Sequence, residues 1–174
     1  MDQTNRPHEN CYWLAPRLMG GEYPGAPSVE LAVPRLRAIL DAGVTFFLDL
    51  TAPGELVAYE LLLPALVMPD GRTAEHRRLP IRDLSVPRRA DMVAILDTID
   101  GALAAGETVY FHCWGGIGRT GTVAGCWLVR HGATGAEALA TVAERFATVG
   151  KATRVPRSPE TDEQVAYVMR WNER

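Results

Sequence analysis

The sequence predicts an α/β domain with a mainly parallel central sheet and helices on both faces. Three observations carry that prediction. Short β-rich runs alternate along the chain with segments of helical periodicity. One run, Val44-Thr45-Phe46-Phe47-Leu48-Asp49-Leu50, is almost continuously apolar, as a strand covered on both faces must be. A second run, Thr108-Val109-Tyr110-Phe111-His112, feeds a glycine-dense loop and then a helix-compatible segment at 120–131. That order places a site at the carboxyl end of a central strand.

Composition narrows the class. A chain of 174 residues with 47% hydrophobic content suits one domain with a real core, here residues 11–174 after a loose polar terminus at 1–10. A net charge of −3 provides no general attraction to nucleic acid or membranes, although arginines gather at Arg77-Arg78, Arg82 and Arg88-Arg89. The three cysteines, Cys11, Cys113 and Cys126, form no C-x-x-C pair, which points to a reducing compartment. The start MDQTNRPHEN carries no hydrophobic signal region, and the longest apolar runs are broken by Pro64 or Asp49. A soluble, cytoplasmic, monomeric protein is expected.

In chain order, residues 11–14 and 17–19 read as short strands before Gly20-Gly21. Leu36, Ile39 and Leu40 share a helix face, Pro34 suits a first turn and Gly43 a C-cap, so a helix is predicted over about 34–42. The apolar strand 44–50 follows, its Asp49 read as a structural carboxylate that bonds loop amides. The leucine-rich stretch after Pro53 predicts a short helix around 55–63, and Asp70-Gly71 a turn into a strand at 75–81. Met92, Ile95, Leu96, Ile99 and Leu103 recur at helical spacing up to Gly106. Thr134-Gly135-Ala136-Glu137 is a capping box for a helix through about Phe146. Ser158-Pro159 reads as an N-cap and first helical position for a last helix that buries Val165, Val168, Met169 and Trp171.

The loop HCWGGIGRTG holds the candidate chemistry. Glycines at 115, 116, 118 and 121 let successive amides turn toward one point, and the following helix adds its positive end there, so residues 114–119 (Trp114, Gly115, Gly116, Ile117, Gly118, Arg119) are expected to hold an anion such as phosphate. Cys113 stands at the loop's entry. Amide dipoles, a helix N-terminus and a cation favour the thiolate, which makes it a nucleophile. Arg119 offers a planar fork for two phosphate oxygens. Thr120 can donate its hydroxyl to the sulfur, and His112 can orient the loop through backbone carbonyls. Hydrolysis of a phosphate ester also needs a proton for the leaving oxygen, and Asp83, in the polar loop 82–87, is the carboxyl chosen for it. Asp91, Asp97 and Asp100 fall in the next helix and read as a solvated face. Cys126 reads as a packing residue.

His112, Cys113, Arg119 and Thr120 fill, position by position, the His-Cys, five residues, Arg, Ser/Thr signature of the cysteine-based protein phosphatases, which this chain resembles from about Trp13 to Trp171. Asp83, 30 positions before the cysteine and followed by Pro87, is similar to the general-acid loop of the dual-specificity branch. The Trp-Pro-Asp of tyrosine-specific members is absent. The resemblance implies a dual-specificity phosphatase-like fold and metal-free, cofactor-free hydrolysis through a phosphocysteine. It also implies a late glutamine, Gln164, that positions the hydrolytic water; the alternative for Gln164 is a solvated surface residue. Arg154 and Arg157 either face the cleft or are simply exposed.

Other readings of the loop are weaker. Residues 116–121 satisfy G-x-G-x-x-G, yet a dinucleotide site needs an acidic residue at a second strand's end and the 53 residues after Gly121 are mostly helical in pattern, and the Gly-Lys-Ser/Thr of a nucleotide-binding P-loop is missing. A metal site from His112, Cys113, Cys126 and His131 fits no zinc spacing. The expected partner is a phosphoprotein or a small phosphomonoester, phosphotyrosine before phosphoserine or phosphothreonine, and the resemblance implies that a loop without lysines argues against highly phosphorylated inositol lipids. The alternatives are a non-catalytic phosphate-binding module on the same fold and a phosphatase acting on a non-protein substrate such as inositol phosphates.

Overall fold

The structure is a computed structural model that describes residues 5–173. Five strands form one sheet in the order β1-β2-β5-β3-β4. They are β1 (Cys11–Ala15), β2 (Leu18–Gly21), β3 (Phe46–Asp49), β4 (Glu75–Arg78) and β5 (Val109–His112). Only the β1–β2 hairpin is antiparallel. The register sets Gly21 and Asp49 on either side of His112, so three strand ends meet where the glycine loop begins.

Strand alternation divides the core in two. Phe46, Leu48, Val109 and Phe111 face α2 (Arg89–Ala104), α3 (Gly118–Arg130), α4 (Gly135–Phe146) and α5 (Asp162–Met169). Phe47, Tyr110 and Met19 face α1 (Val29–Asp41) and a 3-10 helix at Tyr59–Ala65. The predicted α/β class, with a mainly parallel sheet covered on both faces, is therefore the observed one.

Several boundaries differ from the sequence reading. Helix α1 begins at Val29, not near Pro34, which lies inside it and leaves the Glu30 carbonyl without its usual donor. An interior proline costs about 3 kcal/mol, and burial of Leu36, Ile39 and Leu40 at about 2 kcal/mol each outweighs it. The helix expected around 55–63 is the 3-10 helix at Tyr59–Ala65, because Gly54 at φ +77° turns the chain just before Glu55. Strand β4 stops at Arg78, although the Leu79 and Ile81 amides still reach the Asp49 and Leu50 carbonyls at 2.9 and 3.0 Å. Helix α3 starts at Gly118, which puts Arg119 and Thr120 in its first turn.

The last helix starts at Asp162, and its N-cap is Thr161 rather than Ser158. Thr161 and Gln164 close a reciprocal capping box, while the Ser158 hydroxyl bonds the Ile117 carbonyl at 2.7 Å. The box predicted at Thr134 and Glu137 is present. Residues 1–4 of the expected loose terminus lie outside the described residues. Residues 5–10 are tied down: Arg6 donates to the Cys11 and Thr148 carbonyls at 3.0 Å, and His8 Nε2 lies 3.0 Å from the Tyr110 hydroxyl. Among the described residues no helix is long and apolar enough to cross a membrane.

Candidate active site

The apolar β5 delivers His112 and Cys113, both buried, to the carboxyl edge of the sheet. The loop then folds back on the end of β2. Gly116 has φ +70°, and a Cβ there would lie 2.6 Å from the Gly21 carbonyl carbon, so glycine is required on both counts. Four carbonyls of the loop, those of 113, 114, 115 and 117, are held by side chains or by a neighbouring amide. The Cys113 carbonyl accepts from His112 Nδ1 (3.1 Å), Trp114 from the Tyr23 amide (3.0 Å), Gly115 from Lys151 Nζ (2.7 Å) and Ile117 from Ser158 Oγ (2.7 Å). In a trans peptide the next N–H points the opposite way. Among the described residues the amides of 114–119 donate to no backbone carbonyl outside α3, which leaves a nest of donors at a helix N-terminus.

Cys113 is 3% exposed. Its Sγ lies 3.2 Å from Thr120 Oγ1, and its amide donates to the same oxygen at 3.0 Å. The Gly21 carbonyl, at 3.4 Å, is the other acceptor within reach of that hydroxyl. Burial pushes the His112 imidazole down to about 4, against the pull of Asp49 and the Cys113 carbonyl, so the ring is neutral at pH 7. Burial also holds the Tyr59 hydroxyl well above the ordinary tyrosine range. Tyr59 therefore donates to Nε2 at 2.8 Å, which leaves Nδ1 as the donor to the loop. Asp49 takes the structural role expected of it. Its Oδ1 accepts from the Thr51 amide and hydroxyl at 2.8 and 2.6 Å, and its Oδ2 from Arg78 at 2.8 Å. Burial opposes the Asp49 carboxylate, but His76, His112 and Thr51 together hold it below the usual range.

Arg119 is 1% exposed and sits between two carboxylates. Glu55 takes both terminal nitrogens at 2.7 and 2.9 Å, Asp83 Oδ1 lies 3.0 Å from Nη2, and the Ile81 carbonyl accepts at 3.2 Å. Its Nε is buried with no partner, a donor left over for a ligand. Burial works against the charge of Arg119, and Glu55 and the Cys113 sulfur more than restore it. Asp83 precedes Leu84, which is held at φ +57° in a turn closed by the Ser85 amide and hydroxyl on the Arg82 carbonyl.

Cys113, Arg119 and Asp83 line one cavity of about 580 Å³, whereas Gly116, His112 and Thr120 are not on its wall. It brings together Cys113, Arg119, Asp83, Trp114, Gly115, Ile117 and Gly118, and adds Glu22, Leu84, Lys151, Val155 and Glu160. Gln164 does not line it. That side chain is fully buried, neither solvated nor open to the cavity: Oε1 accepts from the Glu160 and Thr161 amides at 3.1 Å, and Nε2 donates to the Ser85 carbonyl at 3.2 Å. It packs on Gly118 and so ties the start of α5 to the loop of Asp83. Arg154 and Arg157 are exposed and off the cavity; Arg157 bonds the Glu160 carbonyl and Asp162.

Asp91 pairs with Arg88, while Asp97 and Asp100 pair with Arg130. Cys126 is buried in the core, where burial raises its thiol well above the ordinary range, and His131 stacks on Trp127 with ring centres 4.0 Å apart. Sequence reasoning missed Glu55, Glu22 and Lys151 as site residues. Glu55 lies 64 positions from Arg119 and Lys151 36 positions from Gly115, and no motif links either pair.

Known proteins resemble this chain in sequence and in fold. Residues 24–133 match the family model described as "Polymorphic toxin system, DSP-PTPase phosphatase". The chain is 31% identical over 128 residues to the 067L protein of Invertebrate iridescent virus 3, which carries a provisional tyrosine-phosphatase name; the match covers 70% of this chain and 46% of that protein. It is 33% identical over 108 residues to phosphatidylglycerophosphate phosphatase PTPMT2 of Arabidopsis thaliana, covering 62% of this chain and 43% of the relative. The chain thus spans less than half the length of these curated relatives. The crystal structure of Tk-PTP in its active form superposes with a TM-score of 0.69 at 25% identity, covering 92% of this chain and 95% of that one. With the family match spanning well over half its length, the chain belongs to this DSP-PTPase phosphatase family.

Proposed function

We propose that this protein hydrolyses phosphomonoesters through a phosphocysteine on Cys113, with aryl phosphates such as phosphotyrosine ahead of phosphoserine and phosphothreonine. One observation carries the reading. A single cavity holds a nucleophile with a hydroxyl donor on its sulfur, a guanidinium, a row of free amides and an exposed carboxyl group. In the first step Cys113 Sγ bonds phosphorus, the ester P–O bond breaks, and Asp83 gives its proton to the leaving oxygen. In the second step water attacks phosphorus, Asp83 takes a proton from it, and the S–P bond breaks with Thr120 stabilising the departing sulfur. Arg119 and the amides of 114–119 supply the positive charge that the equatorial oxygens need.

The preference for an aryl group rests on Trp114 and Leu84. Both are large apolar residues on the cavity wall, 63% and 55% exposed, and they offer a solvent-facing apolar surface to a flat leaving group. The phospholipid activity named for the Arabidopsis relative motivates a second substrate arm.

The test is hydrolysis of para-nitrophenyl phosphate with EDTA present, comparing wild type with Cys113→Ser, followed by phosphopeptides and a phospholipid monoester. Turnover that disappears in Cys113→Ser supports the reading. Absence of turnover in the wild type, with phosphate still bound, would replace it with a non-catalytic phosphate-binding module. Preference for the phospholipid over phosphotyrosine peptides would overturn the substrate assignment.

A further inference from the structure

The peptide joining Gly115 to Gly116 has no side chain on either flank, so it is the peptide of the loop that rotates at least cost. It is also the one loop peptide whose carbonyl is held by a charged side chain. Lys151 Nζ donates to the Gly115 carbonyl at 2.7 Å and to Glu22 Oε2 at 2.6 Å. The lysine arrives on the 3-10 helix Gly150–Thr153, and its own amide is fixed by Asn10 Oδ1 at 3.1 Å. Glu22 is anchored in turn, its Oε1 accepting from Arg35 at 2.9 Å and from Asn10 at 3.3 Å. Both side chains are about four-fifths buried, so solvent and salt screen the pair little.

We infer that Lys151 is a positioning residue for the phosphate cradle: by holding the Gly115 carbonyl outward it keeps the Gly116 N–H turned toward the phosphate, with Glu22 fixing the ammonium. The inference rests on the reading of this loop as the phosphate site. Lys151 acts through the peptide rather than as a free cation, because Glu22 neutralises it and two of its three donors are engaged. The two roles predict opposite outcomes at Glu22. For a free cation, Glu22→Gln removes a repelling charge and tightens phosphate binding. For a positioning lysine, the same change releases the ammonium from its anchor and weakens binding.

The experiment measures inorganic phosphate and orthovanadate binding by calorimetry on the full chain, alongside kcat and KM for para-nitrophenyl phosphate. Lys151→Met is expected to weaken phosphate binding about tenfold, to raise KM by a similar factor and to lower kcat less. Lys151→Arg should recover most of the loss, and Glu22→Gln should fall between. Wild-type affinity in Lys151→Met, or tighter binding in Glu22→Gln, would overturn the proposal. A lowered melting temperature with unchanged Kd and KM would make the residue merely structural. Should Lys151→Met not fold, Glu22→Gln decides alone. A wild type that binds phosphate without turnover removes the hydrolytic reading and leaves the binding test of Lys151 intact; one that binds no phosphate sinks both.

Discussion

Glu55 grips both terminal nitrogens of Arg119, at 2.7 and 2.9 Å, and so fixes the plane of a guanidinium that is almost wholly buried. Hydrogen bonds between charged groups contribute about 1.5–3 kcal/mol, and the quarter of the Glu55 side chain left exposed puts this pair at the lower end. Glu55→Ala is therefore expected to lower kcat/KM for para-nitrophenyl phosphate about tenfold and the melting temperature by a few degrees. Glu55→Gln, which keeps an acceptor but no charge, should lie between. Unchanged kinetics in the alanine variant would show that Arg119 is oriented by its other contacts.

Asp83 occupies the same guanidinium from the other side, 3.0 Å from Nη2. An incoming phosphate competes for that nitrogen, so the carboxyl must give way to it and is then free to serve the leaving oxygen. Asp83→Asn should bind inorganic phosphate at least as tightly as wild type while turnover of alkyl phosphates falls about 100-fold. Nitrophenyl phosphate should lose less, because nitrophenolate leaves without needing a proton. Equal losses on both substrates would remove Asp83 from the role of acid.

Acid should destabilise the fold in a defined window. His112 and His8 are both pushed down to about 4 by burial, whereas an unfolded histidine titrates near 6.5. Between those values the unfolded chain binds more protons than the folded one. Stability is therefore full above the unfolded value and falls as pH drops from about 6.5 toward 4, by roughly 3 kcal/mol for the fully buried His112 and less for His8. Asp49, held below its ordinary range, adds a loss only at still lower pH. Urea midpoints measured between pH 7 and pH 4.5 test this, and His8→Gln should shrink the drop. A flat profile across the window would contradict the buried neutral imidazoles.

The parts of the site that were legible in the sequence are local ones. Cys113, Arg119 and Thr120 sit within one strand-loop-helix unit, where glycine spacing and residue type dictate the geometry. The sheet class was legible for the same reason, since the apolar run around Phe46–Asp49 has to be covered on both sides. Glu55, Glu22 and Lys151 reach the loop from distant segments, and a charged residue on a turn looks alike whether it pairs with solvent or with Arg119. Gln164 shows the opposite limit. Its place after Thr161 is a capping-box spacing, and the box engages its side chain on backbone amides rather than on water. Ser158-Pro159 was a plausible helix start until tertiary contact with the Ile117 carbonyl claimed the serine.

Trp114 follows Cys113 directly, its carbonyl held by the Tyr23 amide while its indole stands in solvent beside the cavity. A side chain anchored at its backbone and open on its face can receive a flat substrate group with little ordering cost. Such a contact is worth about 1 kcal/mol, roughly fivefold in affinity. Trp114→Ala should raise KM about fivefold for phosphotyrosine peptides and leave KM for phosphoserine peptides unchanged, while Leu84→Ala, which removes the smaller wall, should do the same more weakly. Because both changes leave the side chains of Cys113, Arg119 and Asp83 in place, kcat on nitrophenyl phosphate should stay near wild type. Equal KM increases on both peptide classes would mean that the indole supports the loop rather than reads the leaving group.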